Sequence, residues 1–108
     1  MNAAVSYETH LIQRLKEDAD FAQAYLNEAI LEADSADGKE VLLVVLRQLA
    51  EAQGGMTRLA ENSGIKREAL YRALSPKGNP TLTTLMAVLQ ALGMRLSIAR
   101  HSSELSAV

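Results

Sequence analysis

The side chains best suited to chemistry in this chain of 108 residues are basic and aromatic groups that follow residue 65. Arg67, Glu68, Tyr71 and Arg72 share the polar side of a short helical pattern. A planar guanidinium donates two parallel hydrogen bonds, which suits a guanine edge or a phosphate. An outward face of this composition is typical of a helix that enters the major groove of DNA.

Further polar residues extend this candidate surface on both sides. Lys66 and Lys77 are expected to neutralise phosphates rather than read bases, because a flexible ammonium lacks the planar fork of arginine. Asn79 precedes a predicted helix start whose free amides suit a phosphate, although an ordinary turn explains the segment at least as well. The predicted DNA contacts are Thr57, Lys66, Arg67, Glu68, Tyr71, Arg72, Lys77 and Asn79.

A second set of residues fits the framework that would present such a helix. The first helix of a helix-turn-helix needs a small residue where the second helix crosses it, and Ala60 stands there. Four residues later the turn needs a positive φ, which Gly64 adopts without a Cβ penalty. The predicted structural residues of the motif are Leu59, Ala60, Gly64, Ile65 and Leu70.

Other kinds of chemistry have little support. The chain has no cysteine, and its histidines, His10 and His101, lie far apart in sequence. The segment from Asp34 to Gly38 lacks the alternating ligands of a calcium loop. No nucleophile and base, phosphate loop or metal-ligand spacing is recognisable, so we expect no enzyme, no cofactor and no metal.

Helical periodicity runs through nearly the whole chain and predicts an all-α fold of five or six helices. A second helix is expected to begin at Asp18 or Asp20, with Gln23 completing a capping box in the latter case. Thr81 is expected to cap the last helix and Gly93 to end it. The helices are predicted at residues 8–17, from Asp18 or Asp20 to about Glu32, from Val41 to the Gly54-Gly55 stop, and at 56–63, 66–74 and 82–92. The inward residues predicted for the last are Leu82, Leu85, Met86, Leu89 and Leu92.

Charge divides the chain into two unequal parts. The net charge is −2, yet residues 1–40 carry three bases against nine acids, a balance of −6. Residues 41–108 carry eight bases against four acids, a balance of +4. This asymmetry indicates two surfaces with different partners, or else a chance placement of solvated charges.

Several of these motifs together resemble the lambda-repressor-like helix-turn-helix family, also called Cro/C1 or XRE. The resemblance covers about 40 residues. It rests on Leu59-Ala60-x-x-x-Gly64-Ile65, Leu70-x-Arg72, Asn79-Pro80-Thr81-Leu82-x-Thr84-Leu85 and Ala91-Leu92-Gly93. It implies a homodimer that places residues 66–74 in the major grooves of palindromic operator DNA. Lys66 departs from the family pattern, which has Ser or Thr as the cap of the recognition helix.

A narrower resemblance covers most of the chain. It rests on Asp20-Phe21, Ala24-Tyr25-Leu26-Asn27, Gly54-Gly55-Met56, Leu70-Tyr71-Arg72-Ala73-Leu74-Ser75, Gly78-Asn79-Pro80 and Leu96-Ser97. These segments are similar to a HigA-like group of addiction-module antidotes. The resemblance implies neutralisation of a RelE/ParE-like toxin and repression of the shared operon. Phe21, Tyr25, Glu28 and Glu32 are the candidate toxin contacts, with a core role for the two aromatic residues as the alternative.

The expected organisation has three parts. Residues 1–35 form an acidic helical extension, residues 36–98 a helix-turn-helix domain, and residues 99–108 a flexible tail. Residues 94–98 alternate apolar and polar types, which favours either a short strand or a frayed end. The longest apolar run has six residues, so no membrane partner is expected, and the composition suits a cytoplasmic protein. An interaction module with weak DNA binding and a repressor without a toxin remain alternative functions.

Overall fold

Six helices make up the computed structural model over the residues it describes, 3–101, with side chains described from residue 7 onward. No strand occurs within this range. The helices are α1 (Ala3–Glu17), α2 (Ala19–Leu31), α3 (Gly38–Ala52), α4 (Met56–Ser63), α5 (Arg67–Ala73) and α6 (Leu82–Ala91). The all-α prediction with up to six helices is therefore confirmed.

Two of the predicted helix starts have the expected caps. The Asp18 carboxylate accepts a hydrogen bond of 2.9 Å from the Phe21 amide, and the Thr81 hydroxyl accepts one of 3.1 Å from the Thr84 amide. Each bond satisfies one of the first-turn amides that have no partner inside the helix. Asp18 is thus the cap of α2, and the capping box considered for Asp20 with Gln23 does not begin this helix.

The long apolar helix α3 lies at the centre of the molecule and packs against α1, α2 and α4. Helix α4 in turn packs against α5 and α6. Leu43, Leu46 and Leu49 are almost completely buried on α3, and they join the buried leucines of the neighbouring helices in one apolar cluster. No polar or charged side chain is buried among the residues that the structure describes.

The inward face predicted for α6 is partly wrong. Leu89 and Leu92 are buried as expected, together with Val88, but Leu82 is 65% exposed and Met86 is 51% exposed. The apolar stripe of α6 is wider than the surface that α4 and the rest of the core cover, so its outer edge faces solvent.

The chain beyond α6 continues without regular structure as far as residue 101. The strand considered at residues 94–98 is absent. Within the described range there is no neighbouring strand with which its backbone could form hydrogen bonds. Most of the predicted flexible tail, residues 102–108, lies outside the described residues. Over residues 3–101, no helix has the length and apolar character that crossing a membrane requires.

Candidate nucleic-acid interface

A tight turn joins α4 to α5 at the position where the sequence predicts one. Gly64 has φ of 76° in the left-handed region, and its amide donates a 3.0 Å hydrogen bond to the Ala60 carbonyl at the end of α4. The Ser63 hydroxyl accepts a 3.3 Å hydrogen bond from the Ile65 amide. The prediction of a positive φ at Gly64 is confirmed. Two hydrogen bonds from the amides of the turn to the end of α4 hold the turn in place.

The inward residues of this unit anchor the two helices to the core. Leu59 and Leu70 are buried, Leu70 completely, while Ala60 and Ile65 are partly buried and pack against the same cluster. Because Leu70 has no exposed surface, the rotation of α5 about its own axis is fixed by packing. The opposite side of α5 therefore faces solvent in a defined orientation.

All eight of the predicted DNA-contacting residues are exposed. On α5, the Arg67 guanidinium carbon lies 5.6 Å from the centre of the Tyr71 ring, one turn further along the helix. Tyr71 is 49% exposed, so this contact leaves half of the side chain available. An arginine resting on an aromatic face loses less side-chain freedom when it binds a base or a phosphate than an unrestrained one does.

The amino end of α5 has no side-chain cap. Lys66 stands at the cap position and makes no capping hydrogen bond. The first-turn amides of α5 thus have no side-chain oxygen from the cap residue as an acceptor. An ammonium beside these amides favours an incoming anion such as a phosphate oxygen.

The carboxyl end of α5 is held by a contact that the sequence analysis missed. Arg47, on α3, donates a hydrogen bond to the carbonyl of Leu74, the C-cap residue directly after α5. Leu74 itself is completely buried. The available signal was an arginine directly after a run of six apolar residues, but its acceptor lies 27 residues away and no local pattern identifies it.

The turn after α5 leaves no room for a side chain at Gly78. A Cβ added there would lie 2.1 Å from the carbonyl oxygen of Ala73 in α5. The amide of Gly78 donates a 2.8 Å hydrogen bond to the Ser75 carbonyl. This close approach holds the exposed Lys77 and Asn79 beside the end of α5.

The candidate toxin contacts of α2 fall into two pairs. Phe21 and Tyr25 are half-buried and stack on each other, with ring centres 5.8 Å apart. The Arg14 guanidinium carbon lies 3.7 Å from the centre of the Phe21 ring and covers it. Glu28 and Glu32 are exposed. The aromatic pair therefore packs between helices, while the two acids are free to meet a partner.

Tyr25 also connects three helices through hydrogen bonds. Its hydroxyl donates a 2.7 Å bond to the Gln48 side chain on α3, and the Gln48 amide donates in turn to the Glu8 carboxylate on α1, at 3.2 Å. Burial raises the pKa of Tyr25 above its ordinary value, the nearby Tyr7 and Glu8 raise it further, and the bond to Gln48 opposes the shift. Gln48 is a second residue that sequence reasoning missed.

Metal chemistry has no assembled site in the described part of the chain. Between residues 3 and 101, no three histidine, aspartate or glutamate side chains lie together in a way that holds an ion.

Comparison with known proteins gives two matches. A family model described as "Probable addiction module antidote protein" matches residues 7–100. A Haemophilus influenzae protein described only as uncharacterized is 42% identical over 76 residues, which cover 70% of this chain and 73% of the relative. No solved structure matches the chain significantly.

Proposed function

The chain belongs to the family of probable addiction module antidote proteins, and from this premise we propose that it is a HigA-like antitoxin that neutralises a RelE/ParE-like toxin and represses its own operon. We assign its α4–turn–α5 unit to the lambda-repressor-like helix-turn-helix class. The two proposed activities use different surfaces, one basic and one acidic.

The exposed side of α5 is the observation that carries the DNA-binding proposal. Leu70 fixes the helix against the core, while Arg67, Tyr71 and Arg72 face outward. The two arginines are suited to guanine edges, and the lysines at residues 66 and 77 to phosphates on either side. A homodimer would place two copies of α5 about 34 Å apart, in successive major grooves of a palindromic site.

Operator titration tests this assignment. Arg67→Ala and Arg72→Ala are each expected to weaken binding to the DNA upstream of the operon by about 1–3 kcal/mol, or roughly 5-fold to 150-fold in Kd. Fluorescence anisotropy with a labelled duplex measures the loss. Arg100→Ala, which removes an equally exposed arginine outside the helical unit, is the matched control. Unchanged binding by both α5 variants contradicts the proposal.

The acidic side of α2 supports the toxin-binding proposal. Glu28 and Glu32 are exposed one turn apart and lie in the part of the chain whose charge balance is −6. An RNA-cleaving toxin is expected to be basic, and complementary fields accelerate association. Phe21 and Tyr25 would support this surface from beneath rather than form its centre.

Co-expression with the neighbouring toxin tests the second surface. The double variant Glu28→Lys/Glu32→Lys is expected to lose neutralisation and co-purification, because it replaces attraction with repulsion. Glu61→Lys, an exposed reversal on α4, is the control and should retain both. If the double variant neutralises the toxin as well as the wild-type protein does, the toxin binds to a different surface. Retained neutralisation without operator binding by the wild-type protein would favour the alternative, an interaction module with weak DNA binding.

A further inference from the structure

One apolar surface of the molecule has no partner among the residues that the structure describes. It consists of Leu82 and Met86 on α6, and of Leu96 and Ile98 in the segment that follows. These side chains are 65%, 51%, 39% and 100% exposed, in that order. We call this the carboxyl-side surface. Single exposed apolar residues are common, but Met86 and Leu96 line one groove, and grouped apolar side chains are typical of an interface.

A groove gives this surface its shape. It has a volume of about 820 Å³ and runs between α6 and the start of the following segment. Its lining residues are Thr83, Met86, Ala87, Gln90, Gly93, Met94, Arg95 and Leu96. The groove is therefore mostly apolar, with two neutral polar side chains and one charged group, Arg95, and such a depletion of charge is typical of the centre of a protein interface.

The carboxyl-side surface also has very little charge. Arg95 is the only charged residue from 82 to 98, in a chain whose residues are 22% charged. A basic toxin would find no acidic complement here, whereas the acidic side chains that suit it are on α2. An almost neutral surface avoids like-charge repulsion when it meets an identical copy of itself.

The segment after α6 has the chemistry of an unpaired strand. The Met94 amide donates to the Leu89 carbonyl at 2.8 Å, and no later backbone amide up to residue 101 forms a backbone hydrogen bond within the described range. Residues 94–98 alternate apolar and polar side chains, the period of a strand with one covered face. Such a segment is a template for pairing with another chain.

We propose that residues 94–98 pair antiparallel with the same residues of a second copy, with Leu96 on the two-fold axis, and that the resulting ribbon covers the α6 surfaces of both copies. In this register Leu96 faces its own counterpart, Met94 faces Ile98, and Arg95 faces Ser97. The apolar residues of both strands then share one face. The two Arg95 side chains are not directly opposite each other, so the pairing has no like-charge contact of the kind that destabilises a sheet.

The proposed function explains why two copies are needed, and in that respect this interface rests on it. The geometry of the interface is argued from the structure alone. A repressor of a palindromic operator requires a symmetric dimer, and a two-fold axis through Leu96 makes the contact self-complementary. The proposal assigns the second copy as the occupant of the carboxyl-side surface and leaves the acidic side of α2 to the toxin.

Cysteine crosslinking tests the register, since the wild-type chain has no cysteine. Opposite residues of an antiparallel pair have Cβ atoms roughly 4.5–5.5 Å apart, close to the reach of a disulfide. Leu96→Cys is expected to form a covalent dimer under mild oxidation. Ser97→Cys, whose counterpart in the partner lies diagonally, should remain largely monomeric on a non-reducing gel. Equal crosslinking of both variants, or preferential crosslinking of Ser97→Cys, overturns the register.

Oligomeric state tests the surface itself. Ile98→Asp is expected to weaken dimerisation by about tenfold or more, measured by sedimentation velocity over a concentration series. Ile98 is completely exposed, so the substitution removes no contact within the monomer, and circular dichroism should be unchanged. Leu31→Asp, at an equally apolar exposed position on α2, is the control and should dimerise normally. A monomeric wild-type protein, or a dimer indifferent to Ile98→Asp, overturns the proposal.

The two proposals fail in distinguishable ways. A dimer that depends on Ile98 but binds no operator DNA contradicts the repressor function and leaves this interface standing. Operator binding by a protein whose dimer is unaffected by Ile98→Asp, and in which Leu96→Cys forms no covalent dimer, supports the repressor function and overturns this interface. If the carboxyl-side surface becomes inaccessible to solvent only after toxin is added, the surface binds the toxin, and the dimer interface is overturned.

Discussion

Gly78 is a position where a single added methyl group should be harmful, because the backbone of α5 lies directly against it. A Cβ there would lie 2.1 Å from the Ala73 carbonyl oxygen and 2.7 Å from that of Arg72, well below the 3.0 Å that Cβ contacts keep. Both atoms belong to the backbone of α5, so no side chain can rotate away. Gly78→Ala must therefore move either the turn or the end of α5.

The expected loss of stability in Gly78→Ala depends on how far the backbone around the added Cβ can move. Overpacking in a well-packed site typically costs about 1–3 kcal/mol, and rigid backbone on both sides favours the upper end of that range. For a domain of this size, a loss of about 3 kcal/mol corresponds to a fall in Tm of roughly 10–20 °C. Operator binding should also weaken, because Lys77 and Asn79 flank the displaced residue.

Gly93→Ala supplies the matched control. Gly93 has φ of 83°, but an added Cβ would meet no atom within 4 Å. The cost there is left-handed backbone strain alone, about 1–2 kcal/mol. Urea unfolding of both variants, followed by far-UV circular dichroism with a shared slope, measures the difference. If Gly78→Ala loses no more stability than Gly93→Ala, the steric reasoning is refuted.

Two further predictions concern α2. Tyr25→Phe removes the hydrogen bond to Gln48 and should cost about 1 kcal/mol at neutral pH. Burial raises the pKa of Tyr25 in the folded state, so the stability of the wild-type protein should decline as pH rises past the ordinary value of 10.0. Urea titrations should show the difference in unfolding free energy between wild type and Tyr25→Phe becoming smaller in this pH range. A difference that stays constant contradicts this. Asp18→Ala should cost about 1 kcal/mol through loss of the α2 cap, while Asp20→Ala loses only a weaker interaction with the helix dipole. Thermal unfolding that ranks the two aspartates equally would contradict the cap assignment.

The helix boundaries were predictable where their determinants are local. The cap at Thr81, the left-handed turn at Gly64 and the stop at Gly93 each depend on residues within a few positions in sequence. The start of α1 at Ala3 rather than near residue 8 was missed, because no capping residue or apolar repeat marks it.

What the sequence could not specify depends on distant parts of the chain. Periodicity showed that α6 is apolar but not how much of its surface the neighbouring helices cover, so Leu82 and Met86 were placed inside. The hydrogen bond from Arg47 to the end of α5 joins residues 27 apart. The outward residues of α5 were predictable, in contrast, because the apolar residues Ile65, Leu70 and Ala73 mark the inward side of this short helix, and Leu70 is indeed buried.

The absence of a buried charge from the described core has a practical consequence for how this protein responds to salt. Ionic strength screens exposed charges and acts weakly on apolar packing. Changing the salt concentration should therefore alter contacts with DNA or a toxin while the folded chain stays nearly as stable. In the proposed operator complex, the slope of log affinity against log salt would then count the phosphates that the basic side chains neutralise, without a contribution from unfolding.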